Sequence, residues 1–369
     1  MTELTRTRQD DFASAARRRI SQMTLSLSPG EIKRIRQAAL ACLAFDVVGD
    51  ADGFVAEAQR HISVLPDDLV DCLRAFRRHG SATGGLLIRG LPTFEVPRTP
   101  DDPHLAIGTR MTAAGLLGII SAVVGDQYGF RPELNGRIIQ DIIPVSGFEE
   151  TQQSISSTTE LYTHVELAFT DDRADHLALF CLRADHDRVA GTTLSPIEAM
   201  LPLLSETAIG VLGQARYKTT VDSSFLRGIG RKDPIYAQPI RVFAGHPDRP
   251  RIRADFAETT GTDGEAQAAL DELRRAASRV AIMILLEPGD LLLIDNHHAF
   301  HGRTPFRARW DGKDRWLLRT SLTRDLSRSA ARRPGDGRVI DIDFSAAESA
   351  RGKGEVQIMN SITSPTVEP

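Results

Sequence analysis

The tripeptide His164-Val165-Glu166 lies inside LYTHVELAFT, residues 161–170, a segment rich in Val, Leu, Phe and Tyr. Read as one strand, it projects the side chains at i and i+2 from the same face. An imidazole and a carboxylate then leave one rigid support together. That is two thirds of the 2-His-1-carboxylate triad, which holds a non-haem Fe(II) and leaves coordination positions open. The third ligand must come from elsewhere among ten histidines. His297, His298 and His301 follow PGDLLLIDN (288–296), a turn feeding a strongly apolar strand, and stand where that strand exits. A strand end is a rigid place from which to aim a ligand. His301 is preferred because Gly302, which permits close backbone approach, follows it. His61 and His79 fall in a helical block. His104, His186 and His246 sit among turn residues, and His176 opens a strand, so all of these read as surface or structural.

The run after His301, HGRTPFRARWDGKDRWLLRTSL, carries Arg315 and Arg319 four residues apart, which puts both on one strand face. Arg offers a planar, bidentate cation suited to the far end of a dicarboxylate co-substrate. HxE alone recurs by chance. HxE, an apolar strand after Gly-Asp, an HGR turn and strand arginines, in one order, favour chemistry.

These residues need a scaffold. Ser28-Pro29-Gly30-Glu31 predicts a helix start with a capping box and Pro at the first helical position. Further helices are expected over 54–62 and from Pro66, with Gly80 as the stop, giving a helical block over 28–80. A short strand, 86–88, and an apolar helix near 108–124 follow. Strands then dominate: 137–143, 161–169, 176–183, 217–221, 239–244, 251–256, 291–296 and 316–322. Helical insertions are expected at 195–215 and 265–285. Short strands with turns between them and no βαβ alternation favour an α+β fold. Its core is expected to be a double-stranded β-helix (a jelly roll, cupin-like) over about 81–330, carrying N-terminal and inserted helices. One domain, 28–345, is expected between a flexible N-terminus (1–27) and a flexible tail (346–369). The segment 222–234, DSSFLRGIGRKDP, reads as a lid or as an ordinary surface loop.

The order of motifs over roughly 80–335 resembles the clavaminate synthase-like Fe(II)/2-oxoglutarate oxygenases, the group that includes the free arginine, lysine and asparagine hydroxylases. The likeness is densest in LYTHVELAF, HLALFCLRAD, TTVDSSFL and the block from Gly289 to Ser329. The resemblance implies His164, Glu166 and His301 as iron ligands, Glu being this group's habit where most such oxygenases use Asp. It implies that Arg315, fourteen residues after His301, and Thr192, twenty-eight after His164, hold 2-oxoglutarate. Arg319 would take the α-carboxylate of an amino acid and Asp255 its polar side chain, with Gln140 and Ser154 lining the pocket. Glu166 would also reach the substrate ammonium. The implied reaction consumes O2 and 2-oxoglutarate and hydroxylates C3 or C4 of an L-α-amino acid of the arginine, lysine, asparagine or citrulline type. Relatives for basic substrates show Asp-x-Asp where this chain has Arg253-Ala254-Asp255, so Arg253 is expected to share Asp255's face and the substrate.

Composition narrows the alternatives. The 369 residues carry a formal charge of −4, with 41% hydrophobic and 25% charged residues, an ordinary globular balance without an electrostatic footprint for nucleic acid or an anionic membrane. Three dispersed cysteines in apolar segments read as free thiols, and neither a secretory h-region nor a membrane-length apolar run is present, so cytoplasmic is the expectation. A small-molecule partner is expected, and a homo-oligomer stays open. A zinc hydrolase would also use two histidines and a carboxylate, but it has no need of a dicarboxylate clamp. Desaturation, ring closure or a carrier-tethered substrate would use the same site.

Overall fold

In the computed structural model, which describes residues 20–237, 239–342 and 357–358, nearly every element near the site is a strand. In chain order the first strands are β1 (Ser21–Thr24), β2 (Gly85–Arg89), β3 (Asp126–Phe130), β4 (Gln140–Ile142), β5 (Leu161–His164), β6 (His176–Arg183), β7 (Gly191–Pro196) and β8 (Tyr217–Thr219). Short strands follow: β9 (Tyr236–Ala237), β10 (Phe243–Ala244), β11 (Arg251–Ile252) and β12 (Thr259–Gly261). The last are β13 (Ile282–Leu285), β14 (Leu291–Asp295), β15 (Ala299–Arg303), β16 (Trp316–Thr323), β17 (Val339–Ile340) and β18 (Gln357–Ile358). The helices are α1 (Pro29–Cys42), α2 (Ala51–Arg60), α3 (Asp67–His79), α4 (Thr112–Val124), α5 (Ile197–Met200), α6 (Glu206–Leu212), α7 (Ser223–Gly228) and α8 (Gly264–Val280).

The long strands build two sheets. The larger runs β1-β2-β14-β6-β16-β3-β17, with β4 also paired to β16, and the smaller runs β13-β7-β15-β5, antiparallel throughout. Two-residue alternation sorts the larger sheet's side chains. Ala178, Phe180 and Leu182 of β6, with Trp316, Leu318 and Leu322 of β16, point outward into a core capped by α1–α4. Leu177, Leu179 and Leu317 point the other way, toward the smaller sheet. α8 and α6 close the far side through Leu270, Leu273, Val211 and Leu212.

The capping helices follow their sequence signals. Ser28 accepts from Glu31 N and the Glu31 carboxylate accepts from Ser28 N, the reciprocal box that starts α1. α4 is apolar around its circumference because α1 and α2 cover one side and the sheet the other. Gly115 makes that fit: a Cβ there would stand 2.1 Å from Ala39 O, so only glycine lets α4 approach α1 so closely. Among the described residues no single helix is long and apolar enough to cross a membrane.

Several expectations are corrected. Residues 21–24 of the expected flexible N-terminus form β1, parallel to β2, whereas 1–19 lie outside the described residues. So does the expected flexible tail 346–369 except Gln357–Ile358, which pairs with β9. The expected insertion 195–215 is not one helix: residues to Pro196 are the end of β7, and Pro202 separates α5 from α6. The 265–285 helix stops at Val280, and Ile282–Leu285 becomes an edge strand. The 161–169 strand ends at His164, where the chain turns through Leu167 at φ 58°. The expected 222–234 loop contains α7.

Candidate metal centre and substrate cavity

The smaller sheet sets the two histidines side by side. β15 and β5 pair His301 directly with His164, with an irregularity before Arg303, and the two rings lie 4.3 Å apart between centroids. Gly302 permits this, since a Cβ there would meet Leu161 O at 2.7 Å. Glu166, past the strand end, turns back so that its Oε2 lies 3.8 Å from His164 Nε2 and 3.5 Å from His301 Nε2. These three donor atoms all fall within 4.8 Å of one another. His164 Nδ1 donates to Tyr162 O at 2.7 Å, which leaves Nε2 as its free ligating nitrogen.

The charges there are strongly coupled. Burial acts to raise the Glu166 carboxyl, but Arg319 and the two imidazoles outweigh it and hold it well below the usual carboxylate range. Burial acts to lower His164, yet Glu166 and Asp255 outweigh it and hold the ring at about 9. Burial and the neighbouring His164 cation push His301 down to about 4. Two neutral imidazoles and a carboxylate are the donor set of an octahedral site with open positions.

A cavity of about 510 Å³ opens over these residues between the two sheets, within the usual range for a small-molecule site. Its inner wall carries Leu177, Leu179 and Leu317. Arg315 and Arg319 share that face of the larger sheet, as their spacing requires. Two backbone amides, Arg309 N and Trp310 N, donate to the Asp314 carboxylate, folding the 309–314 turn that delivers Arg315. Arg315 is buried, and burial lowers its pKa. Among the described residues no carboxylate forms an ion pair with it. Thr192 Oγ1, also lining the cavity, is buried without a hydrogen-bond partner. A buried guanidinium and an orphaned hydroxyl lining one cavity fit a carboxylate ligand.

Arg319 is tied up differently. Its Nη1 donates to Glu166 Oε1 at 2.6 Å, its Nη2 to Glu133 Oε1 at 2.6 Å, and its Nε to Gln140 Oε1 at 3.0 Å. Gln140 Nε2 donates in turn to Glu133 Oε2. Gln140, Ser154 and Asp255 all line the cavity. Arg253 does not, contrary to the expected shared face. β11 ends at Ile252, so strand alternation no longer holds, and Arg253 turns away to donate to Ala168 O at 2.6 Å and to pair with Asp171. His297 and His298 also face elsewhere, bonded to Asp175 and Asp295.

Two acids escaped the sequence reading. Glu133 precedes a short 3-10 turn, and Asp222 stands just before α7 without a side-chain capping bond; no periodic pattern marks either. Asp222 lines the cavity, as Asp255 does. Burial first, then Asp255 and Glu166, push its carboxyl well above the usual range, and burial also raises Asp255. A carboxyl whose ionisation is opposed by burial and by a neighbouring acid favours a cationic ligand. α7 is latched over the cavity mouth, with Gln153 Nε2 donating to Ser223 Oγ at 2.9 Å and Arg227 stacked 4.9 Å from the Phe148 ring centroid.

Comparison with known proteins agrees with this geometry. Residues 54–321 match the taurine catabolism dioxygenase TauD/TfdA family. The chain is 36% identical to the L-asparagine oxygenase of Streptomyces coelicolor, over 86% of this chain and 94% of that one. It is 34% identical to the L-lysine 3-hydroxylase of Catenulispora acidiphila, over 80% and 82%. The crystal structure of an asparagine oxygenase with Fe(II), 3-hydroxyasparagine and succinate superposes with a TM-score of 0.79 at 33% identity, covering 88% of this chain and 100% of that one. With its triad, its unpaired arginine and its extent of likeness, the chain belongs to the TauD/TfdA family of dioxygenases.

Proposed function

We propose that this protein is an Fe(II)- and 2-oxoglutarate-dependent oxygenase that hydroxylates an unactivated C3 or C4 of a free L-α-amino acid with a cationic side chain. The two sheets enclosing the site agree with a jelly-roll core. His164, Glu166 and His301 would hold the metal. Arg315, which forms no ion pair among the described residues, and Thr192, whose hydroxyl has no hydrogen-bond partner among them, would grip the distal carboxylate of 2-oxoglutarate. Bound there with O2, the metal and co-substrate supply an oxidant able to take hydrogen from an aliphatic carbon, with succinate and CO2 as co-products.

The chain's own residues then have three tasks. Arg319 would receive the substrate α-carboxylate, and Glu133 and Glu166 beside it would attract the α-ammonium. Leu177, Leu179 and Leu317 keep the reacting carbon in an apolar, water-poor wall. α7 and the 145–155 segment, joined by Gln153 and Arg227, would close over the bound pair.

The observation that carries the substrate class is that Asp222 and Asp255 both line the cavity, with Asp255 acting against the ionisation of Asp222. A guanidinium or ammonium between them relieves both burial and repulsion, whereas a neutral amide relieves neither charge. The test is succinate release by Fe(II)-reconstituted enzyme with 2-oxoglutarate, O2 and a panel of L-amino acids. Arginine, lysine or ornithine types should stimulate succinate and gain one oxygen. Stimulation by asparagine or glutamine alone would overturn the cationic assignment, and stimulation by no free amino acid would overturn free-substrate hydroxylation.

A further inference from the structure

Glu166 poses a structural difficulty that its neighbours do not share. His301 lies within β15, and His164 is the last residue of β5. Glu166 stands beyond that end, in a turn that passes through the left-handed Leu167. Its backbone N–H and C=O therefore have no strand neighbour, yet Glu166 is buried, and buried backbone polar groups need partners. The partner is a side chain. Asn296 Oδ1 accepts the Glu166 N–H at 2.8 Å, and Asn296 Nδ2 donates to the Glu166 C=O at 3.1 Å. The primary amide presents one acceptor and one donor to one residue, as an adjoining strand would.

Asn296 is itself fully bonded. It has no exposed surface, and its second Nδ2 hydrogen goes to Ala174 O at 3.0 Å. Its own N–H donates to Asp175 O, and its C=O accepts from Arg173 Nη1. It follows β14 directly and stands five residues before His301 on the same stretch of chain. The backbone under the carboxylate is thereby registered to the chain that carries the distal histidine, while Arg319 holds the carboxylate's other oxygen.

We propose that Asn296 is the positioning residue of the metal centre: its side-chain amide replaces the missing strand beside Glu166 and fixes where that carboxylate meets the metal. This rests on the reading of His164, Glu166 and His301 as metal ligands. No other side chain of this size carries a donor and an acceptor on separate atoms that can meet the N–H and C=O of one residue. Asn296→Asp keeps the acceptor and the volume but sets oxygen against the Glu166 and Ala174 carbonyls, and Asn296→Ala removes the clamp.

The experiment is Co(II) titration of the metal-free full-length protein by calorimetry, with thermal melting of each variant. Leu293→Ala, a fully buried core change in β14 away from the cavity, serves as the stability control. Both Asn296 variants should bind Co(II) at least about tenfold more weakly than wild type, the usual scale for loss of a ligand's outer support. Leu293→Ala should bind within about twofold while melting lower, as a large-to-small core change does. Unchanged Co(II) affinity in a folded Asn296 variant overturns the proposal, as does an equal loss in Leu293→Ala. Wild type that binds no Co(II) overturns the ligand assignment itself. Amide exchange of the wild type guards against variants that do not fold. Glu166 N–H should be protected like a strand amide, and exchange at the rate of an exposed turn overturns the clamp.

Discussion

Replacing Arg315 by Met should have two effects of opposite sign. Arg315 is buried with no carboxylate partner among the described residues, and burial lowers its pKa. It also stands near a second buried arginine, Arg303, whose pKa burial and the Arg315 charge push down to about 9. The guanidinium lies 5.9 Å from the Phe306 ring centroid, so a Met side chain of similar length finds an apolar neighbour. Exchanging an unpaired buried charge for a well-packed apolar group stabilises by about 1–4 kcal/mol. The ligand-free protein should therefore melt a few degrees higher, at roughly 1–3 °C per kcal/mol for a chain of this length. The same change removes a bidentate clamp on the co-substrate. At about 1.5–3 kcal/mol per charge-assisted hydrogen bond, two bonds amount to roughly 3–6 kcal/mol, or about 10²–10⁴-fold in the demand for 2-oxoglutarate. The assays are thermal melting without ligands, succinate formation against 2-oxoglutarate concentration, and Co(II) affinity, which should stay at the wild-type level. A variant that melts lower and keeps the wild-type co-substrate requirement would refute the reasoning.

Three further outcomes follow from the same geometry. Asp222 is held above its ordinary range and must ionise to meet a cation, so kcat/KM for the preferred amino acid should rise with pH in its titration range. Asp222→Asn should flatten that rise and raise KM, and an unaltered pH profile would remove Asp222 from the substrate pocket. His176 is buried and pushed down to about 4, chiefly by desolvation. The unfolded chain binds its proton more readily, so stability is full above about pH 6.5 and falls toward pH 4 by about 3 kcal/mol, and denaturant titrations should show His176→Gln losing that part of the acid slope. Gly302→Ala, whose Cβ would meet Leu161 O at 2.7 Å, should force β15 from β5 and weaken Co(II) binding and stability together, which melting and titration would detect.

Where a regular period governs the chain, its sequence already told most of this. The apolar alternation of β6 and β16 placed Arg315 and Arg319 on one wall, and the apolar run of β14 placed His301 near its exit. The expected helices take in β13 and the last two residues of β7, and the start of β7 carries no assignment, because a brief apolar run has no period of its own. Arg253 and Glu166 make an instructive contrast. Both were assigned a face by strand alternation, and both strands end before them. Glu166 still reaches His164 and His301, through a turn held by Asn296, whereas Arg253 turns outward to Asp171. Glu133, Asp222 and Asn296 sit in caps and turns, where partners distant in sequence determine position and no local pattern reports it.

Isotope tracing with 18O2 tests the central claim most directly. Wild-type enzyme with Fe(II), 2-oxoglutarate and its preferred cationic amino acid should place one heavy oxygen in succinate and one in the hydroxylated amino acid. Label in succinate alone, with a product two hydrogens lighter, would contradict hydroxylation. Oxygen drawn only from water would contradict the oxygenase altogether.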